Sequence, residues 1–246
     1  MPTLTPKTYI YAHRGASGYA PENTLEAFRL AVEQGADGVE LDVHFSKDGR
    51  IMVIHDALID RTSNGQGDVT SYTYEELLSF DFGYHFYGEC RGIKIPTLDQ
   101  VYELLAPTGM TVNVEIKSKS PDICLACHEL AVKYGMEDKV IYSCFDHMQL
   151  LRMREVAPDA FVAPLYSINL IRPWDYCLNM QANASHPMKN QLRLFPEYVE
   201  RCHALGIRVH PWTANKEEEI QFLLDADCDG IITNFPDLAL SLRDKT

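Results

Sequence analysis

Short apolar runs with strand character alternate with stretches of helical periodicity along nearly the whole of this 246-residue chain. No other feature restricts the possible folds so strongly. A strand, a helix and a second strand in succession lay the two strands side by side and parallel, so repeated units build a parallel sheet with helices packed on it. The strand-like runs fall at residues 9–13, 39–45, 111–117, 140–144, 160–165, 182–186, 208–213 and 230–233. A further run at 51–55 follows Lys47-Asp48-Gly49, whose Asp-Gly pair suits a hairpin, and reads as a strand returning on the second. Leaving that return aside, the eight βα units predict a TIM (β/α)8 barrel, a fold that commonly has this length.

Local signals support the alternation. Thr24 is placed to cap a helix whose Leu25, Phe28 and Val32 recur at helical spacing, and Gly35 is placed to stop it. Thr97 and Gln100 have the spacing of a capping box. Helices are expected over 121–134, 148–156, 196–205 and 217–226. Residues 57–95, with Asn64-Gly65-Gln66-Gly67 and a run of aromatics from Tyr72 to Tyr87, break the pattern. They read as a small insertion after the second strand of a single domain spanning 1–246.

Composition excludes several classes. A net charge of -13 argues against nucleic acid, whose phosphates need a basic stripe. The densest charge run, Lys216-Glu217-Glu218-Glu219, reads as a solvated first helical turn. No apolar stretch is long enough to span a bilayer, and residues 1–8 lack the pattern of a signal peptide. Seven cysteines without framework spacing suit reduced thiols, and together these features predict a cytoplasmic protein. Cys124 and Cys127-His128 match the spacing of a haem attachment site, but they fall inside an amphipathic helix and read as packing residues.

The chemistry-bearing residues concentrate in a few places. Successive side chains of a strand point to opposite faces, so Glu40 and Asp42 project together while Val39, Leu41 and Val43 point the other way. Glu115 and Lys117 repeat the two-residue spacing on a later strand, and His13-Arg14-Gly15 and His55-Asp56 add two histidines and an arginine. Three carboxylates are hard oxygen donors suited to Mg²⁺ or Ca²⁺ rather than to thiolate-bound zinc. The bland alternative is a network of salt bridges with Arg14 and Lys117. Unpaired, such a cluster in a barrel mouth would repel itself, so positive charge must reside there.

Read in order, these residues resemble the glycerophosphodiester phosphodiesterase family. The matching stretches are His13-Arg14-Gly15-Ala16, Pro21-Glu22-Asn23-Thr24, Glu40-Leu41-Asp42-Val43, Ser46-Lys47-Asp48-Gly49 and His55-Asp56. Arg61-Thr62, Ile95-Pro96-Thr97-Leu98, Glu115-Ile116-Lys117, Trp212-Thr213 and Gly230-Ile231-Ile232-Thr233 complete them, and residues 166–190 match least. The resemblance implies a phosphoric diester hydrolase of glycerophospholipid and glycerol metabolism, cleaving a glycerophosphodiester to sn-glycerol 3-phosphate and an alcohol. It implies His13 and His55 as the acid–base pair, Glu40, Asp42 and Glu115 as ligands of one divalent cation, and Arg14, Lys117 and Trp212 as phosphate- or substrate-binding groups. The nucleophile is water or the substrate's own 2-hydroxyl, and the partner expected is a small molecule, a homo-oligomer being compatible. Glu22 and Asn23 read equally as supports of the site or as a helix entry. His44 shares the face of Glu40 and Asp42, but its position in the family is not catalytic.

Two rival functions use the same barrel. A metal-dependent aldolase or isomerase acting on a sugar phosphate would explain the carboxylates but neither His13-Arg14-Gly15 nor His55-Asp56. A non-catalytic phosphate-ester binding protein would need a broken catalytic set, and every matched position is intact.

Overall fold

The structure, a computed structural model, describes residues 8–86 and 90–245. Most of the N-terminal stretch weighed as a signal peptide, and Tyr87 of the aromatic run, lie outside the described residues. The strands are β1 (Tyr9–His13), β2 (Gly38–Phe45), β3 (Ile51–Val53), β4 (Thr111–Ile116), β5 (Val140–Cys144), β6 (Phe161–Tyr166), β7 (Ala184–Pro187), β8 (Arg208–Val209) and β9 (Gly230–Thr233). Neighbouring strands follow the order β8-β7-β6-β5-β4-β2-β1-β9, all pairs parallel, and β3 pairs antiparallel with β2 off this path. The ends of the order also meet. Asp229 and Ile232 donate their backbone N–H groups to the carbonyls of Val209 and Pro211, each at 3.1 Å. The expected eight-stranded parallel barrel therefore forms, with the hairpin return as a ninth strand outside it.

The seventh barrel strand of the sequence reading was expected to run to residue 213, but its regular ladder stops at Val209. Pro211 has no N–H to give, which interrupts the ladder without ending the alignment. His210 and Trp212 still donate to Ser185 and Pro187 at 2.9 and 3.1 Å. The caps behave as their side chains dictate: Thr24 Oγ accepts from the Ala27 N–H, and Thr97 and Gln100 form a reciprocal capping box.

The two faces of the strands are sorted as their alternation requires. Val39, Leu41, Val43, Val112, Val114 and Ile116 point outward into one core with Phe28, Leu98, Val101, Leu105 and Ile123 of the surrounding helices. Burying each such side chain contributes roughly 1.5–3 kcal/mol, so a register slip that exposed them would be heavily penalised. Cys124 and Cys127 are fully buried in this same core, where burial pushes the Cys124 thiol up to about 11. Inside the barrel, Tyr11, Ile141, Ala163, Ala184 and Ile232 fill the interior. The described residues between β3 and the helix Leu98–Leu105 form two short 3₁₀ turns and a helix at Tyr74–Leu77, closed over a separate cluster of Met52, Ile54, Ile59, Val69, Leu77, Phe82 and Ile95. Among the described residues no helix is long and apolar enough to cross a membrane.

Candidate active site

Strand register assembles the site. His13 pairs with Glu40 between β1 and β2, and Asp42 pairs with Glu115 between β2 and β4. Alternation brings Glu40 and Asp42 to the same inward face. A carboxylate oxygen from each of Glu40, Asp42 and Glu115 lies within 4.8 Å of the others, and all three residues are buried. The strands end here, which is where barrel chemistry is found.

The His13-Arg14-Gly15 turn has an unusual backbone. Arg14 and Gly15 both take positive φ, 56° and 77°. Arg14, which has a Cβ, is disfavoured there by about 1 kcal/mol or more. Its N–H is held by Glu40 Oε2 at 3.0 Å and its carbonyl accepts from the Asn23 N–H at 3.0 Å, contacts that offset the strain. Gly15 is required for a second reason: a Cβ would stand 2.6 Å from the Ala27 backbone.

Three carboxylates face two fixed cations. Arg14 Nε lies 3.3 Å from Asp42 Oδ2 and its Nη1 donates to Glu22 Oε1 at 2.9 Å. Lys117 Nζ lies 3.4 Å from Asp42 Oδ1 and also touches Glu115 Oε1. At 4.8 Å or less and an effective dielectric of about 20, each carboxylate pair repels by roughly 3 kcal/mol or more. Asp42 stays charged: burial pushes it up, but Arg14 and Lys117 outweigh that and hold it at about 2. Glu115 is pushed up to about 7 by burial and by Asp42, and Glu40 is raised by burial and by both other carboxylates. Asn113 Oδ1 is buried without a hydrogen-bond donor, and Asp42 Oδ1 and Glu115 Oε1 share the single ammonium of Lys117. An all-oxygen cluster with surplus negative charge and too few donors fits a divalent cation. The salt-bridge reading is half right, because Arg14 and Lys117 do pair with the cluster, yet they leave it short of positive charge.

The two histidines line one cavity with Arg14, Lys117, Phe145 and Trp212. His13 Nδ1 donates to Asn234 Oδ1 at 2.7 Å, since an amide oxygen can only accept. Its Nε2 is left toward Glu40 Oε2, 3.9 Å away. Burial and the Arg14 charge lower His13 to about 4, so it is neutral at ordinary pH. His55 Nδ1 is 2.6 Å from Asp56 Oδ1, which fixes the ring with Nε2 as the remaining nitrogen. His44 is turned away from the cavity, and its Nε2 donates to the His55 carbonyl at 3.1 Å.

All eight residues singled out from sequence come together except that Asp42 lies beneath the cavity wall rather than on it. Of the two open assignments, Asn23 donates to Asp42 Oδ2 at 2.9 Å and Glu22 accepts from Arg14, so both support the site. Phe235, two residues beyond β9, packs edge-on against Tyr19 and over Gly18. Glu219 also departs from the solvated reading of its run, pairing with Lys189 at 3.0 Å. Sequence reasoning missed Phe145, whose ring meets Trp212 at 5.5 Å and lies under Lys117 Nζ, and Asn234. Each directly follows a barrel strand, β5 and β9, and that position was the available signal.

Comparison with known proteins agrees with this geometry. Residues 13–238 match the model of the glycerophosphoryl diester phosphodiesterase family. A glycerophosphodiester phosphodiesterase of Caldanaerobacter subterraneus is 41% identical over 97% of this chain and 99% of its own length. The crystal structure of glycerophosphodiester phosphodiesterase from Agrobacterium tumefaciens superposes with a TM-score of 0.85 at 30% identity, covering 95% of this chain and 99% of that one. An Oleispira antarctica phosphodiesterase, solved in complex with the product sn-glycerol-3-phosphate, superposes with a TM-score of 0.87 at 26% identity over 97% of each chain.

Proposed function

Because the chain belongs to the glycerophosphoryl diester phosphodiesterase family, we propose that it hydrolyses glycerophosphodiesters to sn-glycerol 3-phosphate and an alcohol. The observation that carries this reading is that two Nδ1-anchored histidines line the same acidic cavity as Glu40 and Glu115. A divalent cation, Mg²⁺ or Ca²⁺, held by Glu40, Asp42 and Glu115 supplies Lewis acidity and charge neutralisation at the phosphate.

The chain's own groups do the rest. Arg14 presents a planar fork and Lys117 a point charge to the nonbridging phosphate oxygens. His13, neutral with its Nε2 lone pair free, takes the proton of the attacking hydroxyl. For the second half of the step His55 must carry a proton on each ring nitrogen: Nδ1–H is held by the Asp56 carboxylate and Nε2 gives its proton to the departing alkoxide, after which exchange with solvent resets both rings. Trp212, held by a 2.8 Å hydrogen bond from its Nε1 to the His186 carbonyl and packed on Phe145, walls the glycerol side. We read residues 57–95 as a family insertion in a single barrel domain, lying toward the alcohol side.

The direct test is a coupled assay for glycerol 3-phosphate over a panel of diesters, with and without added divalent ions. Within that panel, diesters lacking the free glycerol hydroxyls should lose far more in specificity constant than diesters with an altered alcohol, because polar groups left unpaired in a buried site are costly. Equal tolerance at the two ends would remove the glycerol-pocket role from Trp212. Cation binding should also be pH-dependent. Burial and Asp42 bring metal-free Glu115 to about 7 and raise Glu40 as well, so a cation bound below that pH must displace a proton and affinity should rise between pH 5 and 8. Calorimetry in buffers of different ionisation enthalpy should register proton release below about pH 7, and a pH-independent affinity would contradict the ligand assignment.

A further inference from the structure

Arg61 lies outside the cavity, with its side chain about half exposed at 47%, yet all three of its guanidinium nitrogens are engaged. Nε donates to Asp56 Oδ2 at 2.5 Å, and Nη1 and Nη2 fork onto Glu22 Oε2 and Oε1, both at 2.8 Å. The other oxygen of Asp56 holds His55 Nδ1, and Glu22 Oε1 also accepts from Arg14 Nη1. A continuous chain of contacts thus runs from His55 through Asp56, Arg61 and Glu22 to Arg14, and from Arg14 Nε to Asp42. It crosses between two segments that are separate in the backbone: the end of β1 and the turn after it, carrying His13, Arg14 and Glu22, and the segment after β3, carrying His55, Asp56 and Arg61.

We propose that Arg61 is a positioning residue that couples the His55 arm of the site to the Arg14 arm, setting the aim of the acid–base ring and of the phosphate fork together. A role in stability alone accounts poorly for this arrangement. A half-exposed ion pair contributes little to folding, whereas a bidentate fork inside a network fixes geometry. Both carboxylates are held charged for the purpose. Burial pushes Glu22 and Asp56 up, but the Arg61 hydrogen bonds outweigh it and keep each below the usual carboxylate range. The arrangement needs arginine. A lysine carries the same charge but offers one compact donor centre, and so serves one arm at a time.

This inference rests on the catalytic reading of His55 and Arg14, and its test separates the two. Arg61→Ala should retain a cooperative unfolding transition, lower kcat and raise KM for a glycerophosphodiester, with kcat/KM falling ~10–10²-fold as expected for a misplaced catalytic group. Asp56→Asn should reproduce mainly the kcat part and Glu22→Gln mainly the KM part. Arg61→Lys should recover little of either, and wild-type kcat/KM in Arg61→Lys or Arg61→Ala would overturn the proposal. A second measurement does not depend on turnover. Nitrogen NMR at a pH where the His55 ring is neutral should show one tautomer, protonated at Nδ1, in the wild type and a mixture in Arg61→Ala. An unchanged single tautomer in the variant would overturn the coupling to His55 even if no diester were hydrolysed. Absence of turnover in the wild type would instead defeat the proposed function.

Discussion

Removal of divalent cations is expected to abolish diester hydrolysis, and readdition of Mg²⁺ or Ca²⁺ to restore it. The charge count requires this. Glu40, Asp42 and Glu115 converge within 4.8 Å, and Arg14 and Lys117 are the cations paired with them. Without a further cation, Lys117 and Arg14 remain drawn to the carboxylates instead of to the phosphate of an entering diester. Replacing Glu115 with Gln should weaken cation binding while leaving Lys117 freer, so excess cation should recover part of the activity. Asp42→Asn should be the most damaging of the three, because Asp42 alone contacts Arg14, Lys117 and Asn23 together. Full turnover after exhaustive chelation, checked by elemental analysis of the protein, would sink the assignment of all three carboxylates.

Replacing His13 or His55 with Ala should lower turnover by ~10²–10⁴, the range for loss of a positioned proton acceptor or donor. The double variant should be little worse than either single variant, because both rings act in one transition state. The two should nevertheless differ in character. His13 is half-buried, and its removal frees Asn234 and opens space beside Glu40, so some loss of cation affinity should accompany the loss of rate. His55 touches none of the three carboxylates, and its variant should bind the cation as the wild type does. Steady-state kinetics alongside calorimetric cation titration would read both effects. A variant that changed only KM would show its histidine to be a binding group and end the acid–base scheme.

Much of this protein was legible from its residues because two local periodicities carry the information. Strand alternation separates Val39, Leu41 and Val43 from Glu40 and Asp42, and helical spacing with Thr24 and Thr97 caps marks the elements between strands. Both are properties of near neighbours in sequence, so one chain suffices to read them, and the count of units then limits how the sheet can close. The eight candidate site residues were singled out through strand ends and short motifs together with the family resemblance that those motifs carry.

What only the folded chain decided are the contacts between segments distant in sequence. Asn234 reaches His13 because the last strand closes on the first, 221 residues away, and Arg61 reaches Glu22 across 39 residues. Phe145 joins Trp212 only because their strands both open on one mouth. The early end of β8 and the packing of Phe235 on Tyr19 likewise depend on neighbours that the local pattern does not contain. Side-chain type and spacing determine which face a residue takes. Which partner meets it on that face is set by strand register and barrel closure, which emerge from packing the whole core at once.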